Sequence, residues 1–194
     1  MTILISTIWK GSAVIQAIKL FSPNKIYFLV DDPINDIMQN SLIMIRNLFP
    51  DIFLKNIPTK MYDIVDVTKN TSDIIIEEKT EKIIIHISEG RKTRSLGLLF
   101  GAYLQKEYVD SAYYITEETN TPLQLPLMEL KVSKQKKQLL RNLENNINFV
   151  SELEKKLNLK AQTIYVYMKE LRDNGFLNRD NKLTEMGRIV LLKN

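Results

Sequence analysis

KIIIHISEGRKTRSLGLLFGAYLQKEY, residues 82–108, contains the change of rhythm on which the reading of the whole chain turns. Its first six residues, 82–87, are an almost unbroken β-branched run, the pattern of a strand covered on both faces. A short polar turn with Gly90 follows, and from Lys92 to Tyr108 the apolar positions take helical spacing. The same strand–turn–helix unit repeats on either side. ILISTI (3–8) precedes a helix from Ser12 to Phe21 with Val14, Ile15, Ile18 and Phe21 on one stripe. KIYFLV (25–30) precedes a helix over 35–49 with Ile37, Ile45, Leu48 and Phe49 inward. IFLKNI (52–57), ended by Pro58, precedes a helix over 61–79, and SAYYIT (111–116) closes the series. Strands alternating with helices predict an α/β fold, a doubly wound, mostly parallel Rossmann-like sheet over residues 1–116 with right-handed crossovers.

Residues 117–133 break this rhythm. They hold two prolines and no helical stripe, and LQLPLMEL within them reads as an edge strand or an extended linker. From Ser133 the grammar is that of short helices. Leu139, Leu140 and Leu143 line one side of 134–145. Ser151 and Glu154 have capping-box spacing at the start of a second helix. A third helix spans Ala161–Asp173 and stops at Asn174-Gly175. FLNRDNKLT (176–184) is a hairpin turning at Asp180-Asn181, and Thr184 opens a last short helix. Helix, tight turn, helix and two-stranded wing describe a small winged helix-turn-helix domain over 134–194.

Composition narrows the function. The 194 residues contain no cysteine and one histidine, His86, so a thiolate site is excluded and neither a metal site nor a Ser-His-Asp triad is expected. No apolar run reaches the roughly 18 residues of a membrane span. The N-terminus has no basic region before its apolar stretch, so a soluble, cytoplasmic protein is expected. Residues 1–131 carry 14 basic and 16 acidic side chains, whereas 132–194 carry 13 and 7. A basic segment behind a mildly acidic one suggests that the C-terminal part meets a polyanion.

On the third helix, Ile164, Met168 and Leu171 are expected to pack inward. Gln162, Thr163, Tyr165, Lys169 and Arg172 then face away, types that bond to base edges and phosphates in a major groove. Lys160 precedes that helix, and Arg179 and Lys182 sit at the wing tip, within reach of phosphate. Tyr165 and Tyr167 would instead be contact residues if the module binds protein. The segment resembles the winged-helix transcription regulators, through Val150-Ser151-Glu152-Leu153, Leu159-Lys160-Ala161-Gln162-Thr163-Ile164, Met168-Lys169-Glu170-Leu171, Gly175-Phe176-Leu177 and Leu183-Thr184-Glu185-Met186-Gly187. Lys160 stands where such proteins usually carry a small N-cap hydroxyl.

In a doubly wound sheet, ligands lie beyond the carboxyl ends of the strands. Two loops meet that condition: Ser6 to Ser12 after the first strand, and Ser88-Glu89-Gly90-Arg91-Lys92-Thr93 after the fourth. The second offers a glycine, cations and hydroxyls at a helix N-terminus, which attracts phosphate. Neither a dinucleotide G-x-G-x-x-G nor a P-loop is present. Asp31-Asp32 reads as a solvated turn, and His86 as a structural residue of its strand.

His86-Ile87-Ser88-Glu89-Gly90-Arg91-Lys92-Thr93-Arg94-Ser95-Leu96 resembles the second motif of the CARF domains, the CRISPR-associated Rossmann folds, with Glu89 at a position where glycine is commoner. With a winged helix following, the chain is similar to the archaeal CRISPR-locus-related DNA-binding regulators. The resemblance implies a homodimer that binds a cyclic oligoadenylate, cyclic tetra-adenylate first, across its interface. Ser88, Glu89, Gly90, Arg91, Lys92 and Thr93 would surround phosphate and ribose. Thr7, Ile8, Trp9 and Lys10 would cover the ring, with Trp9 available to stack on adenine. No cofactor, metal or catalytic residue is implied. The expected function is a ligand-responsive transcription regulator of CRISPR loci that binds double-stranded DNA. One alternative is a ring nuclease, with Ser6, Thr7, Lys10 and Lys92 as its candidates; another is a regulator whose ligand site is vestigial. Leu123 to Met128 is expected either at a dimer contact or over the domain's own sheet edge.

Overall fold

The structure, a computed structural model, describes residues 1–193. The chain divides into two compact units, residues 1–129 and those from 130 onward. In the first, strands β1 (Thr2–Thr7), β2 (Lys25–Asp32), β3 (Phe53–Lys60), β4 (Lys82–His86), β5 (Ser111–Ile115) and β6 (Pro122–Leu125) form one sheet in the order β3-β2-β1-β4-β5-β6. The first five are parallel, and β6 returns antiparallel along β5. The helices between them are α1 (Ser12–Phe21), α2 (Asp36–Leu48), α3 (Ile64–Glu77) and α4 (Lys92–Leu104), the last followed by a 3-10 turn over Lys106–Tyr108.

Strand alternation divides the core in two. Ile3, Ile5, Tyr27, Leu29, Ile83 and Ile85 turn one way, to Val67, Ile74 and Ile75 of α3 and Leu98 and Ala102 of α4. Leu4, Ile26, Phe28, Val30 and Ile84 turn the other way, to α1 and α2. A central strand buried on both faces therefore has to be apolar at consecutive positions, which is what made 82–87 legible. On the α3–α4 side the helices approach closely because α4 carries Gly97 and Gly101. A Cβ on Gly101 would stand 2.5 Å from the Thr71 side chain.

Three expectations for this unit are corrected. Pro58 does not end β3, which continues to Lys60 with Pro58 opposite Val30. The strand is at the sheet edge, where a missing N–H removes no ladder bond. The buried stripe of α2 is Met38, Ser41, Leu42 and Ile45, while Ile37 and Leu48 are exposed. Apolar residues on both sides of this helix made its inward face ambiguous. Asp31 is not in a solvated turn but at the buried end of β2, with no exposure to solvent. Of the Leu123–Met128 segment, Leu125 and Leu127 pack against the core, whereas Leu123 and Met128 are exposed.

The second unit contains α5 (Lys134–Glu144), α6 (Val150–Leu157), α7 (Ala161–Asp173) and α8 (Glu185–Leu191) around Leu139, Leu140, Leu143, Leu153, Ile164, Met168 and Leu171. Between α7 and α8 the chain doubles back at Asn181, joined by one antiparallel bridge, Leu177 to Leu183. The expected capping box of α6 is absent. Phe149 is the N-cap and gives no side-chain bond. The Glu154 carboxylate instead accepts from the Ala161 N–H at 2.7 Å, capping α7, where Lys160 has no acceptor to offer. No helix among the described residues is long and apolar enough to cross a membrane.

Candidate functional site

Adjacent central strands β1 and β4 send their chains to opposite faces of the sheet, into α1 and α4. The gap opened there is a cleft of about 580 Å³. Trp9, Lys10, Ser12 and Ala13 line it from the first loop, and Ser88, Glu89, Gly90 and Arg91 from the second. Ile115, Thr116, Glu117 and Asn120, from the turn joining β5 to β6, complete the wall. The third wall escaped sequence reading, because only strand order places the end of β5 beside that of β4.

Lys10 is exposed at the cleft and Trp9 is half-buried, packed against the α1–α2 core. Thr7 and Ile8 are fully buried: the Thr7 hydroxyl donates to the Glu89 carbonyl, and Ile8 belongs to the core. Ser6 is buried as well and donates to the Thr7 carbonyl at 2.7 Å. The Ser88 hydroxyl accepts from the Ile115 N–H at 2.6 Å, tying the second loop to β5. Lys92 is exposed on the first residue of α4, and Thr93 is half-buried beside it. Neither lines the cleft wall itself. Gly90 takes φ +87°, and a Cβ there would press on the Ile8 carbonyl at 3.3 Å.

Glu89 binds the first loop tightly. One carboxylate oxygen accepts from the N–H groups of Trp9 (2.9 Å) and Gly11 (2.7 Å), and the other from Ala13 (2.7 Å) and the Ser12 hydroxyl (3.4 Å). The N-cap of α1 is Gly11, which has no side chain, so Glu89 caps that helix from across the cleft. At the start of α4 the N-cap is Arg91, whose side chain gives no cap bond, although its carbonyl accepts from the Arg94 (2.9 Å) and Ser95 (3.0 Å) amides.

Behind the second loop lies a charge cluster that the sequence did not reveal. Arg94, 3% exposed, forms an ion pair with Asp31, and its Nε donates to the Thr59 hydroxyl at 3.4 Å. Burial lowers the Arg94 guanidinium to about 10, still charged at neutral pH. Arg91 reaches the same Asp31 at 3.4 Å, donates to the Tyr62 hydroxyl at 2.8 Å and lies 5.0 Å over its ring. His86 is buried with Nδ1 2.8 Å from the Ser6 hydroxyl. The same hydroxyl lies 2.7 Å from the Thr7 carbonyl, and when its proton goes there Nδ1 is the donor. Nε2 has no hydrogen-bond partner among the described residues. Burial pushes the His86 imidazole down to about 4.

In the second unit, Gln162, Tyr165 and Lys169 are exposed along α7, with Lys160 before them and Arg179 and Lys182 at the hairpin. Thr163 and Arg172 are half-buried, and Arg172 hydrogen-bonds Asn181, bracing the turn. Tyr167 is held inside the unit, donating to Gln135 at 2.6 Å beneath Lys136.

No protein-family model matches the sequence, and no curated protein matches it. Among solved structures, protein VC1899 from Vibrio cholerae aligns with 100% of this chain and 64% of its own, at 10% identity and a TM-score of 0.49. Can2 from Sulfobacillus thermosulfidooxidans, in complex with cyclic tetra-adenylate, aligns with 98% and 63%, at 8% identity and 0.47. Scores at this level add nothing to the fold assignment. Enterococcus italicus Csm6 bound to cyclic hexa-2'-fluoro-hexa-dAMP aligns at a TM-score of 0.55 with 12% identity, covering 90% of this chain and 54% of that one. The chain thus spans about half to two thirds of the length of these structures, and it shares its α/β fold with Csm6.

Proposed function

We propose that the protein is a ligand-responsive DNA-binding regulator whose first unit is a CARF domain sensing a cyclic oligoadenylate. The observation that carries the reading is the cleft between the β1 and β4 loops. It lies where a doubly wound sheet binds nucleotides, next to a helix start that carries Arg91 and Lys92 and that no side chain caps. The ligand class agrees with the cyclic hexanucleotide in the Csm6 structure. Cyclic tetra-adenylate across a homodimer is the form proposed here, with Ser88, Gly90, Arg91, Lys92 and Thr93 around phosphate and ribose. Trp9 and Lys10 lie over the ring. The second unit acts as a winged helix-turn-helix, reading duplex DNA with the exposed face of α7, and two copies read two half-sites. The ring-nuclease alternative loses support because the Ser6 and Thr7 hydroxyls are buried and bonded to carbonyls.

Changing Lys92 to Ala is expected to weaken cyclic tetra-adenylate about 10- to 150-fold per contact, the value of one charge-assisted hydrogen bond. Stability should stay within roughly 0.5 kcal/mol, since the side chain is exposed. Calorimetric titration reads the first and urea unfolding the second. Unchanged affinity refutes the assignment.

DNA affinity should fall steeply with salt, and Lys169→Ala or Arg179→Ala should each reduce the slope of log affinity against log salt by about 0.9. A chain ending before residue 134 that binds DNA as well as the full protein overturns this half of the reading.

A further inference from the structure

The four bonds of Glu89 have a consequence for what the cleft accepts. Backbone N–H groups converging at a helix start are the ordinary receptor for a phosphate. Here the donors of Trp9, Gly11 and Ala13, at 2.7–2.9 Å, already hold an anion, and that anion is covalently part of the second loop. The opposite helix start, at α4, has no such occupant. The two helix starts beside the cleft are therefore unequal: the amides at α1 are filled by an internal carboxylate, whereas no side chain caps α4, where Lys92 is exposed.

We infer that Glu89 is a specificity-determining residue that denies the α1 amides to phosphate and confines a ligand's anionic group to the α4 side. An incoming phosphate at α1 has to displace a carboxylate held by three backbone amides and a hydroxyl, against the repulsion of like charges. A ligand with phosphate on one side and neutral nucleoside groups on the other is favoured over one needing phosphate on both. This deepens the proposed reading of the cleft, because the class of ligand rests on it, whereas the exclusion at α1 does not.

The test follows backbone amide resonances of the full chain during titration with inorganic phosphate. In Glu89→Ala, the amides of Trp9, Gly11 and Ala13 are expected to move in a saturable way. In the wild type they should respond at least about tenfold more weakly. If Glu89→Ala does not fold, Glu89→Gln keeps the side-chain length without the charge, and the same three amides should move. Equal response in wild type and variant overturns the inference, and so does stillness of those amides in a folded variant. Lys92 and Thr93 amides in the wild type report separately on the α4 side. Their failure to respond overturns the confinement to the α4 side and counts against the ligand reading, while the exclusion of phosphate at α1 is decided by the amides of Trp9, Gly11 and Ala13 alone.

Discussion

Replacing Arg94 with methionine is expected to cost about 3–5 kcal/mol of folding stability, the usual effect of removing one member of a buried ion pair. Asp31 has no exposed surface and Arg94 is 3% exposed, so the stranded carboxylate cannot rehydrate without opening the end of β2. Arg91, the other cation near it, is 3.4 Å away and also engaged with Tyr62, so it compensates in part only. Urea unfolding at neutral pH measures the loss. The double change Asp31→Leu with Arg94→Met, which removes both charges, should recover most of it. A single Arg94→Met variant within 1 kcal/mol of the wild type would show that the buried pair does not hold the fold in this way. Because Arg94 lies in the first turn of α4 and Asp31 at the end of β2, the pair also sets where that helix starts. Ligand affinity should therefore fall in the single variant more than in the double one.

Acid should unfold the protein in a window set by His86. Its imidazole titrates near 6.5 when unfolded and near 4 when folded, because burial disfavours the charged ring. Between these values the unfolded chain holds more protons, so stability is complete above pH 6.5 and declines toward pH 4. The shift corresponds to roughly 3 kcal/mol at 1.36 kcal/mol per unit. Among the described residues Nε2 has no hydrogen-bond partner, so a doubly protonated ring would bury an N–H without an acceptor. Glu78 acts in a lower range. Burial alone would raise its carboxyl, but hydrogen bonds from Lys25 and Tyr27 hold it below 4.5, so its contribution is lost only below that value. Unfolding midpoints measured from pH 7.5 to 4 should fall steadily in the wild type, and His86→Gln should flatten the curve. Parallel curves for the two proteins would assign the acid sensitivity to another group.

Most of the first unit could be read from local sequence. Strands with continuous apolar runs announce burial on both faces, and Gly11, Gly90 and the loop polarity mark where helices begin. The edges were less legible. β3 has one solvated side, so its pattern is diluted and Pro58 looked like a stop. In α2, apolar residues on the exposed side, Ile37 and Leu48, obscured the inward stripe. The α7 start shows the same limit from the other direction: Lys160 lacks a capping group, and Glu154, one helix earlier, supplies it.

The sequence by itself determined the alternation of strands and helices, the change to short helices after Ser133, the basic C-terminal segment and the polar loop at 88–93 as a candidate site, because each depends on residues close together in the chain. The tertiary structure decided what those side chains do. Glu89, in sequence only an acid where glycine is commoner, caps α1 at 76–80 residues' remove. Asp31, read as a surface acid, is a buried counter-ion to Arg94 at a separation of 63 positions. Whether a charged group is solvated, paired or occupying a helix start depends on strand order and on neighbours distant in sequence, and periodicity, a local property, carries no information about either.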